Sequence, residues 1–403
     1  MADQETSNPK PEITSSESSL PDPIAVSSIA SIKDLIKVVT GKDIDETDRT
    51  ADYGFAEKLP FPFSAIVGQQ EMKLALVLSL INPLIGGVLL IGPRGTGKTT
   101  SVRSLIPLLP MVEKSSCFYG CTEDDLLSGG TDAVCEDCAQ KYARNEPLTH
   151  LEPTRLVELP LNATIDDVIG QLDDNLSNNH PMRFKRGILS RADKNILLVD
   201  EINLLQNEIL DAILDASAYG SYTVRRSSLS ATLKSRFSMV GTMNPQEGVL
   251  RPQILDRFGL RVFARSLSSV DERLLAYQRT QIYKSYPHHI IAEFEEETTK
   301  MAADIENAQH LVRQMEIPNP IAKLGISLIT QLKIPSIRAE ISLFEAAKAH
   351  AAADNRDKVT KDDLQAVAII ALRMRNSHSK MNDDASLEEE DQKIKTAMQE
   401  IFN

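Results

Sequence analysis

Apolar residues recur along this chain at spacings that change from segment to segment. A helix-like run at residues 71–81 is followed by a continuous apolar run at 86–92, a glycine-rich loop and a second helix-like run at 98–109. Two further apolar runs, at 195–201 and 237–245, each end in acidic or polar residues. Since open parallel sheets bind ligands beyond the carboxyl ends of their strands, the pattern predicts an α/β fold with a ligand site at that edge.

The same pattern divides the chain into four parts. Residues 1–28 are rich in Ser, Pro and Glu, and we predict that residues 1–50 form a disordered acidic extension that contains one short amphipathic helix at 28–39. Residues 51–265 predict the α/β core. The strand-like runs then stop, and helix-like runs over 266–380 predict a helical second domain. An acidic tail with one frayed helix is expected at 381–403.

Composition and charge narrow the classes of partner. Hydrophobic residues make up 42% of the 403 residues, and no apolar run approaches the roughly 18 to 20 residues needed to cross a bilayer. The formal net charge of -13 argues against nucleic-acid binding, which depends on a dense field of Lys and Arg. The N-terminal residues carry acids and no Arg, unlike a transit peptide, and lack the apolar centre of a secretory signal. We therefore expect a cytoplasmic protein that binds neither nucleic acid nor membrane.

A phosphate-binding loop of the pattern G-x-x-x-x-G-K-[ST] lies between a predicted strand and a predicted helix. Its glycines let backbone N–H groups surround phosphates, Lys98 would neutralise the β- and γ-phosphates, and Thr99 would ligate Mg²⁺. The alternative, a plain glycine turn before a helix, does not require the full eight-residue match. The residues predicted to bind nucleotide here are Gly92, Pro93, Arg94, Gly95, Thr96, Gly97, Lys98, Thr99 and Thr100.

The next two apolar runs deliver the other polar groups that hydrolysis requires. Asp200 follows a buried strand and would hold the Mg²⁺, and Glu201 would orient the attacking water. Asn244, at the end of the third run, is placed to bond the γ-phosphate or that water. An acidic pair after a strand is often a solvated turn, and Asn-Pro is a common turn former. The phosphate loop about a hundred residues upstream favours the catalytic interpretation.

All four cysteines of the chain lie close together, within an insert at 115–155. Cys117, Cys121, Cys135 and Cys138 have the spacing C-x₃-C-x₁₃-C-x₂-C, which suits tetrahedral Zn²⁺ bound by four thiolates. A cytoplasmic location disfavours disulfides. The alternative is a set of unligated or redox-active thiols, with the CEDC pair as a redox switch.

Residues 61–265 resemble the ATPase (I) subunit of magnesium chelatase. The phosphate loop alone does not separate this family from many others, but the segments LPLNATIDDVIG at 159–170 and RPQILDRFGL at 251–260 do so far better. Further matching segments are FPFSAIVGQ at 61–69, IGGV at 85–88, VDEINLL at 199–205 and GTMNPQEG at 241–248.

The resemblance implies an AAA+ fold: a parallel-sheet ATPase core with extra hairpins, a C-terminal all-helical lid, and hexamer-like rings with ATP sites between subunits. It also implies roles for single residues. Asn244 resembles sensor 1, Arg257 the arginine finger and Arg338 the sensor 2 arginine, although without a family both arginines would be ordinary surface residues. The residues expected near the adenine are Val67, Gly68 and Gln69.

The resemblance further implies a function as the motor of magnesium chelatase, which inserts Mg²⁺ into protoporphyrin IX on the route to chlorophylls. The porphyrin would lie on a large separate H subunit, with a bridging AAA+-like D subunit between, so this chain would need ATP and Mg²⁺ but hold no porphyrin. Two rivals stay open, a MoxR-type AAA+ protein remodeller and a cobalt-chelatase-like motor. A helicase is disfavoured by the charge of -13, and a non-catalytic scaffold by the complete set of ATPase residues.

Overall fold

The computed structural model describes residues 59–173, 183–226, 229–375 and 384–402, all within one compact unit. The predicted N-terminal extension and its helix at 28–39 lie outside the described residues. No helix in the described part of the chain combines the length and the apolar character needed to cross a bilayer.

The central sheet has five parallel strands, numbered here by their position in the chain. The runs predicted at 86–92, 195–201 and 237–245 form three of them, so those predictions are confirmed. The pattern did not reveal the two edge strands, because β4 is half exposed and contains Glu158, and Arg261 interrupts the apolar run of β11. From one edge to the other the strands are Leu260–Phe263 (β11), Val88–Ile91 (β1), Ser238–Met243 (β10), Ile196–Val199 (β7) and Leu156–Leu159 (β4).

The order of the strands brings three loops together. Strand β10 lies between β1 and β7, and all three run parallel. Met243 at the end of β10 pairs in register with Ile91 at the end of β1, and Gly241 pairs with Val199 at the end of β7. The glycine loop, the acidic pair and the segment after β10 therefore meet at one edge of the sheet.

Three antiparallel pairs of strands lie outside the central sheet. The last pair leads into β10. The pairs are Met111–Ser115 (β2) with Thr149–Pro153 (β3), Gly170–Asp173 (β5) with Arg183–Arg186 (β6), and Ser221–Arg226 (β8) with Leu229–Lys234 (β9).

Helices surround the sheet and then form a C-terminal helical region. Helices α1 to α8 belong to the part of the chain that contains the strands, and α9 to α15 follow the last strand. The first group is Gln70–Ile81 (α1), Lys98–Arg103 (α2), Glu123–Gly129 (α3), Glu136–Ala143 (α4), Ile165–Ile169 (α5), Ile188–Arg191 (α6), Asn207–Tyr219 (α7) and Pro252–Leu255 (α8). The second is Val270–Ser285 (α9), Pro287–Glu293 (α10), Glu295–Val312 (α11), Asn319–Gln331 (α12), Arg338–Ala353 (α13), Lys361–Leu372 (α14) and Asp384–Phe402 (α15).

Two hydrophobic cores lie on opposite faces of the sheet. Because side chains alternate along a strand, Val88 and Leu90 of β1 pack on one face, and Leu89 and Ile91 pack on the other. The first core also contains helix α1 and residues of the helical region such as Leu343, and the second contains the buried face of α7. The parallel-sheet core and the C-terminal helical region agree with the predicted AAA+ fold class.

The C-terminal helix α15 departs from the predicted frayed tail. Ile394 and Phe402 are buried in the first core. The acidic run is not simply solvated, because Asp391 forms two hydrogen bonds of 2.7 Å with the buried Arg373 guanidinium, and Glu390 accepts one from the Met374 N–H at 2.9 Å. A buried charge requires a partner of opposite sign, and the acidic run supplies it.

Candidate ATP site and cysteine cluster

The glycine loop after β1 has the backbone freedom that wrapping a phosphate requires. Gly95 (φ 81°) and Gly97 (φ 84°) adopt left-handed conformations, and a Cβ at either position would meet no atom within 4 Å. The requirement for glycine is therefore conformational rather than steric. Helix α2 begins directly after Gly97, at Lys98, so the loop leads into a helix end whose backbone N–H groups have no partners within the helix.

The Lys98 ammonium group is folded back onto its own loop. Its Nζ donates hydrogen bonds to the carbonyl oxygens of Gly92 (2.7 Å) and Pro93 (2.8 Å). Burial lowers the pKa of Lys98 below its ordinary value, while the carboxylates of Asp200 and Glu201 act in the opposite direction. An ammonium group held by neutral carbonyls can exchange them for charged phosphate oxygens, which are stronger acceptors.

Thr99 and Asp200 are in contact although they are 101 residues apart in sequence. The Thr99 hydroxyl donates to the two carboxylate oxygens of Asp200 at 3.1 and 3.2 Å, and Thr242 Oγ1 donates to Asp200 Oδ1. Mg²⁺ prefers oxygen ligands and usually takes one or two from the protein, with phosphate oxygens and water completing the shell. The hydroxyl and carboxylate at positions 99 and 200 therefore fit the predicted Mg²⁺ site.

Glu201 occupies a strained turn at the end of β7. Its backbone lies in the left-handed region (φ 47°, ψ 48°), which is uncommon for a residue with a side chain. The Glu201 N–H donates to Thr242 Oγ1 at 3.1 Å, which holds the turn in place. The Glu201 carboxylate is 25% exposed and pairs with Arg94 Nη2 at 3.2 Å. The turn thus presents the predicted catalytic carboxylate beside the phosphate loop.

Asn244 follows β10, and both ends of its side-chain amide are engaged. Oδ1 accepts a hydrogen bond from the Gln246 N–H at 3.3 Å, and Nδ2 donates to Glu247 Oε1 at 2.7 Å. Glu247 also pairs with Arg94, whose Nε lies 2.8 Å from Oε1. Neither Thr242 nor Glu247 belongs to the phosphate-loop or acidic-pair motif that the sequence displays. The available signal for Thr242 was its position two residues before Asn244, since alternate residues of a strand share a face.

These groups line one open cavity. Its lining brings together the phosphate loop, the acidic pair and the end of β10, as the three strand-like runs predicted. The lining residues are Arg94, Gly95, Gly97, Lys98, Thr99, Thr100, Asp200, Glu201, Thr242, Met243 and Asn244.

The turn predicted to lie near the adenine is joined to the phosphate loop without lining the cavity. Gln69 Nε2 donates to the carbonyl oxygen of Arg265 at 2.5 Å and approaches that of Thr96 at 3.5 Å. A Cβ on Gly68 would lie only 2.6 Å from Leu267 Cδ2, so this turn is packed against the segment that leads out of β11. Val67 is half-buried in the same turn.

The two predicted catalytic arginines lie away from this cavity. Arg257 Nη1 donates to the Leu214 carbonyl oxygen at 3.2 Å, and its Nη2 is 4.0 Å from Asp215 Oδ1. Arg338, at the start of α13, pairs with Asp256 at 3.5 Å. Neither arginine lines the cavity formed by its own chain.

The four cysteines converge as their spacing predicted. The sulfur atoms of Cys117, Cys121, Cys135 and Cys138 all lie within 4.8 Å of one another, and none forms a disulfide. Backbone N–H groups donate to two of the sulfurs, from Cys121 to Cys117 Sγ and from Cys135 to Cys121 Sγ, each at 3.3 Å. Four sulfurs around Zn²⁺ at about 2.3 Å would be roughly 3.8 Å apart, so this donor set fits a tetrahedral zinc ion.

The thiol pKa values differ within the cluster. Burial raises the pKa of Cys121 to about 12 and that of Cys138 well above its ordinary value. Burial acts in the same direction on Cys117, but hydrogen bonds from Ser115 and Cys121 outweigh it and lower the Cys117 pKa to about 7. A bound cation would stabilise the thiolate form of all four, since a coordinating thiol is deprotonated.

Charged contacts fasten the cysteine insert to the core. Asp125 of α3 pairs with Lys234 at 3.0 Å and with Arg236 at 3.4 Å. Arg236 in turn pairs with Asp193 at 3.1 Å and donates to the Gly120 carbonyl oxygen at 2.8 Å. Because Lys234 ends β9 and Arg236 lies just before β10, the insert is attached to the segment that leads to the cavity.

Comparisons with known proteins agree along most of the chain. Residues 179–252 match the family described as magnesium chelatase, subunit ChlI, and residues 323–397 match the AAA lid domain. The magnesium-chelatase subunit ChlI homolog of Methanocaldococcus jannaschii is 41% identical over 78% of this chain and 86% of that protein. The magnesium-chelatase subunit ChlI of a Synechocystis species is 37% identical over 79% and 88%, respectively.

A solved structure supports the fold alone. The crystal structure of a protein from Cytophaga hutchinsonii superposes with a TM-score of 0.53 at 19% sequence identity, covering 84% of this chain and 91% of that one. The same arrangement of sheet and helices is therefore found in a protein of low sequence identity.

Proposed function

The chain belongs to the magnesium chelatase subunit I family, and from this premise we propose that it is the ATP-hydrolysing motor of a chelatase that inserts Mg²⁺ into protoporphyrin IX. One observation carries the ATPase part of the proposal. Lys98, Thr99, Asp200, Glu201 and Asn244 come from three separate loops and line the same cavity. These are the groups that bind phosphate, hold a metal ion and orient water in phosphoryl transfer.

Each group has a step in ATP hydrolysis that follows from its contacts. Lys98 exchanges the carbonyl oxygens of its own loop for the phosphates of ATP. Thr99 and Asp200 would hold Mg²⁺, which neutralises charge on the phosphates when bound. Glu201 accepts a hydrogen bond from the attacking water and orients it. Asn244 donates to the terminal phosphate or to that water, and the negative charge that develops is stabilised by donors already in place.

Completion of the site requires a second subunit. We propose that Arg257 acts on ATP bound by its neighbour in a hexamer-like ring, and that Arg338 acts from the lid. The position of Arg257 supports this proposal. Arg257 donates a hydrogen bond to the carbonyl oxygen of Leu214 and does not line the cavity of its own chain. Arginine suits the task because its planar guanidinium matches the geometry of phosphate oxygens.

The proposed partners are the other subunits of the chelatase. A bridging AAA+-like D subunit would join the ring, and the porphyrin-binding H subunit would receive the mechanical work, so this chain would hold no porphyrin. The cytoplasm is the proposed compartment. The net charge of -13 supports the absence of nucleic acid from this set of partners.

We also propose that the cysteine cluster binds one structural Zn²⁺. The insert has a small core of its own, in which Cys121 and Cys138 pack with Leu126 and Leu148. So small a core contributes little burial energy, and a metal ion commonly replaces it in segments of this size. Two backbone N–H groups already donate to the sulfurs, as in sites where such bonds orient the ligands.

Reconstitution separates the chelatase motor from its two rivals. The chain is mixed with the bridging and porphyrin-binding subunits of a magnesium chelatase, ATP, Mg²⁺ and protoporphyrin IX, and the metalloporphyrin absorption spectrum is followed. We expect magnesium porphyrin with the wild-type chain and none with Lys98→Ala. Product with Co²⁺ and a cobalt-chelatase large subunit alone would favour the cobalt motor. ATP hydrolysis without metal insertion by either set would favour the protein remodeller.

A further inference from the structure

We infer that Glu247 is a positioning residue for ATP hydrolysis, which acts by fixing the side-chain amide of Asn244. The inference rests on the proposed catalytic role of Asn244 and adds a carboxylate that the phosphate-loop and acidic-pair motifs do not contain. Glu247 itself does not line the cavity, whereas Asn244 does. Its effect on the reaction therefore passes through a neighbour that lines the cavity, and of its two such neighbours, Asn244 and Arg94, the one assigned here is Asn244.

The contacts of Asn244 define one orientation of its amide. The Gln246 N–H requires an acceptor, so it must face Oδ1, and the Glu247 carboxylate requires a donor, so it must face Nδ2. A reversed amide would place Nδ2 against an N–H group and Oδ1 against a carboxylate. With one N–H of Nδ2 engaged by Glu247, the second N–H stays available for a phosphate oxygen or the attacking water.

Local backbone structure brings Glu247 to this position. Asn244 caps a short 3₁₀ turn at Pro245–Glu247, and the turn returns the side chain of residue 247 to the residue three positions earlier. The Glu247 side chain is 23% exposed. Its second oxygen, Oε2, is buried and has no hydrogen-bond donor among the described residues. The stability of the fold does not explain a carboxylate at position 247, because an unpaired buried acceptor is unfavourable.

Arg94 links Glu247 to Glu201, the proposed catalytic carboxylate. Its guanidinium lies between Glu247, at 2.8 Å, and Glu201, at 3.2 Å. The proposed role does not depend on this ion pair, and the two functions of Glu247 can be separated by substitution. In Glu247→Gln, the amide oxygen still accepts from Asn244 Nδ2, but the charge that attracts Arg94 is absent. In Glu247→Ala, both are lost.

Steady-state ATPase kinetics test the inference with five variants in the full chain: Glu247→Ala, Glu247→Gln, Asn244→Ala, the Asn244→Ala/Glu247→Ala double variant and Glu208→Ala. We expect Glu247→Ala to lower kcat about tenfold or more while KM for ATP changes less than about threefold, and Glu247→Gln to recover most of kcat. Adding Glu247→Ala to Asn244→Ala should cause no further loss, because residues that act through one another are not additive. Glu208, exposed on α7, is a matched carboxylate control and should have no effect.

Binding of a fluorescent ADP analogue to each variant verifies that the site is folded. The inference is overturned if Glu247→Ala keeps wild-type kcat, if Glu247→Gln is as impaired as Glu247→Ala, or if the Glu247→Ala loss is the same with and without Asn244. A different result would count against the proposed function: wild-type kcat in Asn244→Ala would remove the catalytic role on which the inference depends.

Discussion

Lys98 and Glu201 have different tasks in the ATP cycle, and single substitutions should separate them. Lys98 already carries two hydrogen bonds that phosphate oxygens can replace, so Lys98→Ala should weaken nucleotide binding. Glu201→Gln keeps the shape of the side chain but cannot orient water as a base, so it should retain binding and lose about 10² to 10⁴ in turnover. Equilibrium binding of ATP and the steady-state ATPase rate are the two measurements.

The control for this pair is an exposed carboxylate outside the cavity. Glu208→Gln removes the same charge from the first turn of α7 and should leave both binding and turnover unchanged. Equal ATPase rates in the wild type and Glu201→Gln would remove Glu201 from the catalytic assignment.

The sequence is most informative about the site where the chemistry requires contiguous residues. The phosphate loop needs glycines, Lys98 and Thr99 at fixed offsets, and these are visible in sequence. Thr242 and Glu247 escape such analysis because the role of Thr242 depends on tertiary contacts and that of Glu247 on the geometry of a local turn. Thr242 matters because the parallel sheet places it beside Asp200 and Glu201, and Glu247 because a 3₁₀ turn returns it to the preceding loop.

The cysteine insert should contain one metal ion. Metal analysis of chain purified without chelator should give about one Zn²⁺ per chain, and Cys135→Ser/Cys138→Ser should abolish it. Removing the metal should increase hydrogen exchange at 115–145 more than in the ATPase core, because this insert has only a small hydrophobic core. Absence of both zinc and iron, together with four freely titrating thiols, would reject the zinc site and leave the redox interpretation.

Helix α15 should depend on the pairing of Asp391 with Arg373. Asp391→Ala removes a carboxylate from the Arg373 guanidinium, which is 1% exposed. The pairing of Arg373 with Glu71 stays, but the Glu71 side chain is 50% exposed. Breaking a buried ion pair is strongly destabilising, so we expect a loss of about 3 kcal/mol in the free energy of unfolding. Urea denaturation measures it, with the exposed Glu389→Ala as control. Equal midpoints for the two variants would contradict the structural role of the pair.

The same helix shows that a run of acidic residues can belong to a helix that is partly buried. The acidic residues at 388–391 are typical of a solvated tail. The apolar residues Ile394, Ala397 and Phe402 follow them at helix-like spacing, however, and this pattern predicts burial equally well. The sequence contains both patterns and does not indicate which of them decides whether the helix is solvated or buried. Whether the acidic run is solvated depends on Arg373, which lies 18 residues from Asp391 in the sequence and is buried by the rest of the fold.

At the scale of the whole molecule, the helical region and the sheet share a hydrophobic core. Ala346 of α13 and Leu364 of α14 belong to the same buried cluster as Leu90 of β1. Periodicity predicted the helices and their apolar faces, because it reports which side of a helix is apolar. It does not report what that side packs against, so the continuity of the two parts was not predictable.

Polar contacts hold the two arginines in place. Asp256, which pairs with Arg338 of the helical region, directly precedes Arg257 in the chain. Arg257 itself is held next to α7 by its hydrogen bond to the Leu214 carbonyl oxygen and does not line its own cavity. We therefore expect Arg257 to act in trans, and expect Arg257→Lys to fail as well, since Lys lacks the planar fork of donors.

Mixing two inactive variants tests this account most directly. Arg257→Ala chains keep an intact phosphate loop, and Lys98→Ala chains keep an intact arginine. If ATP is hydrolysed between subunits, mixed rings contain some interfaces with both parts intact, and the mixture should recover ATPase activity that neither variant has alone. If Arg257 serves its own chain, every site lacks one component, and a mixture as inactive as its parts would contradict the shared site.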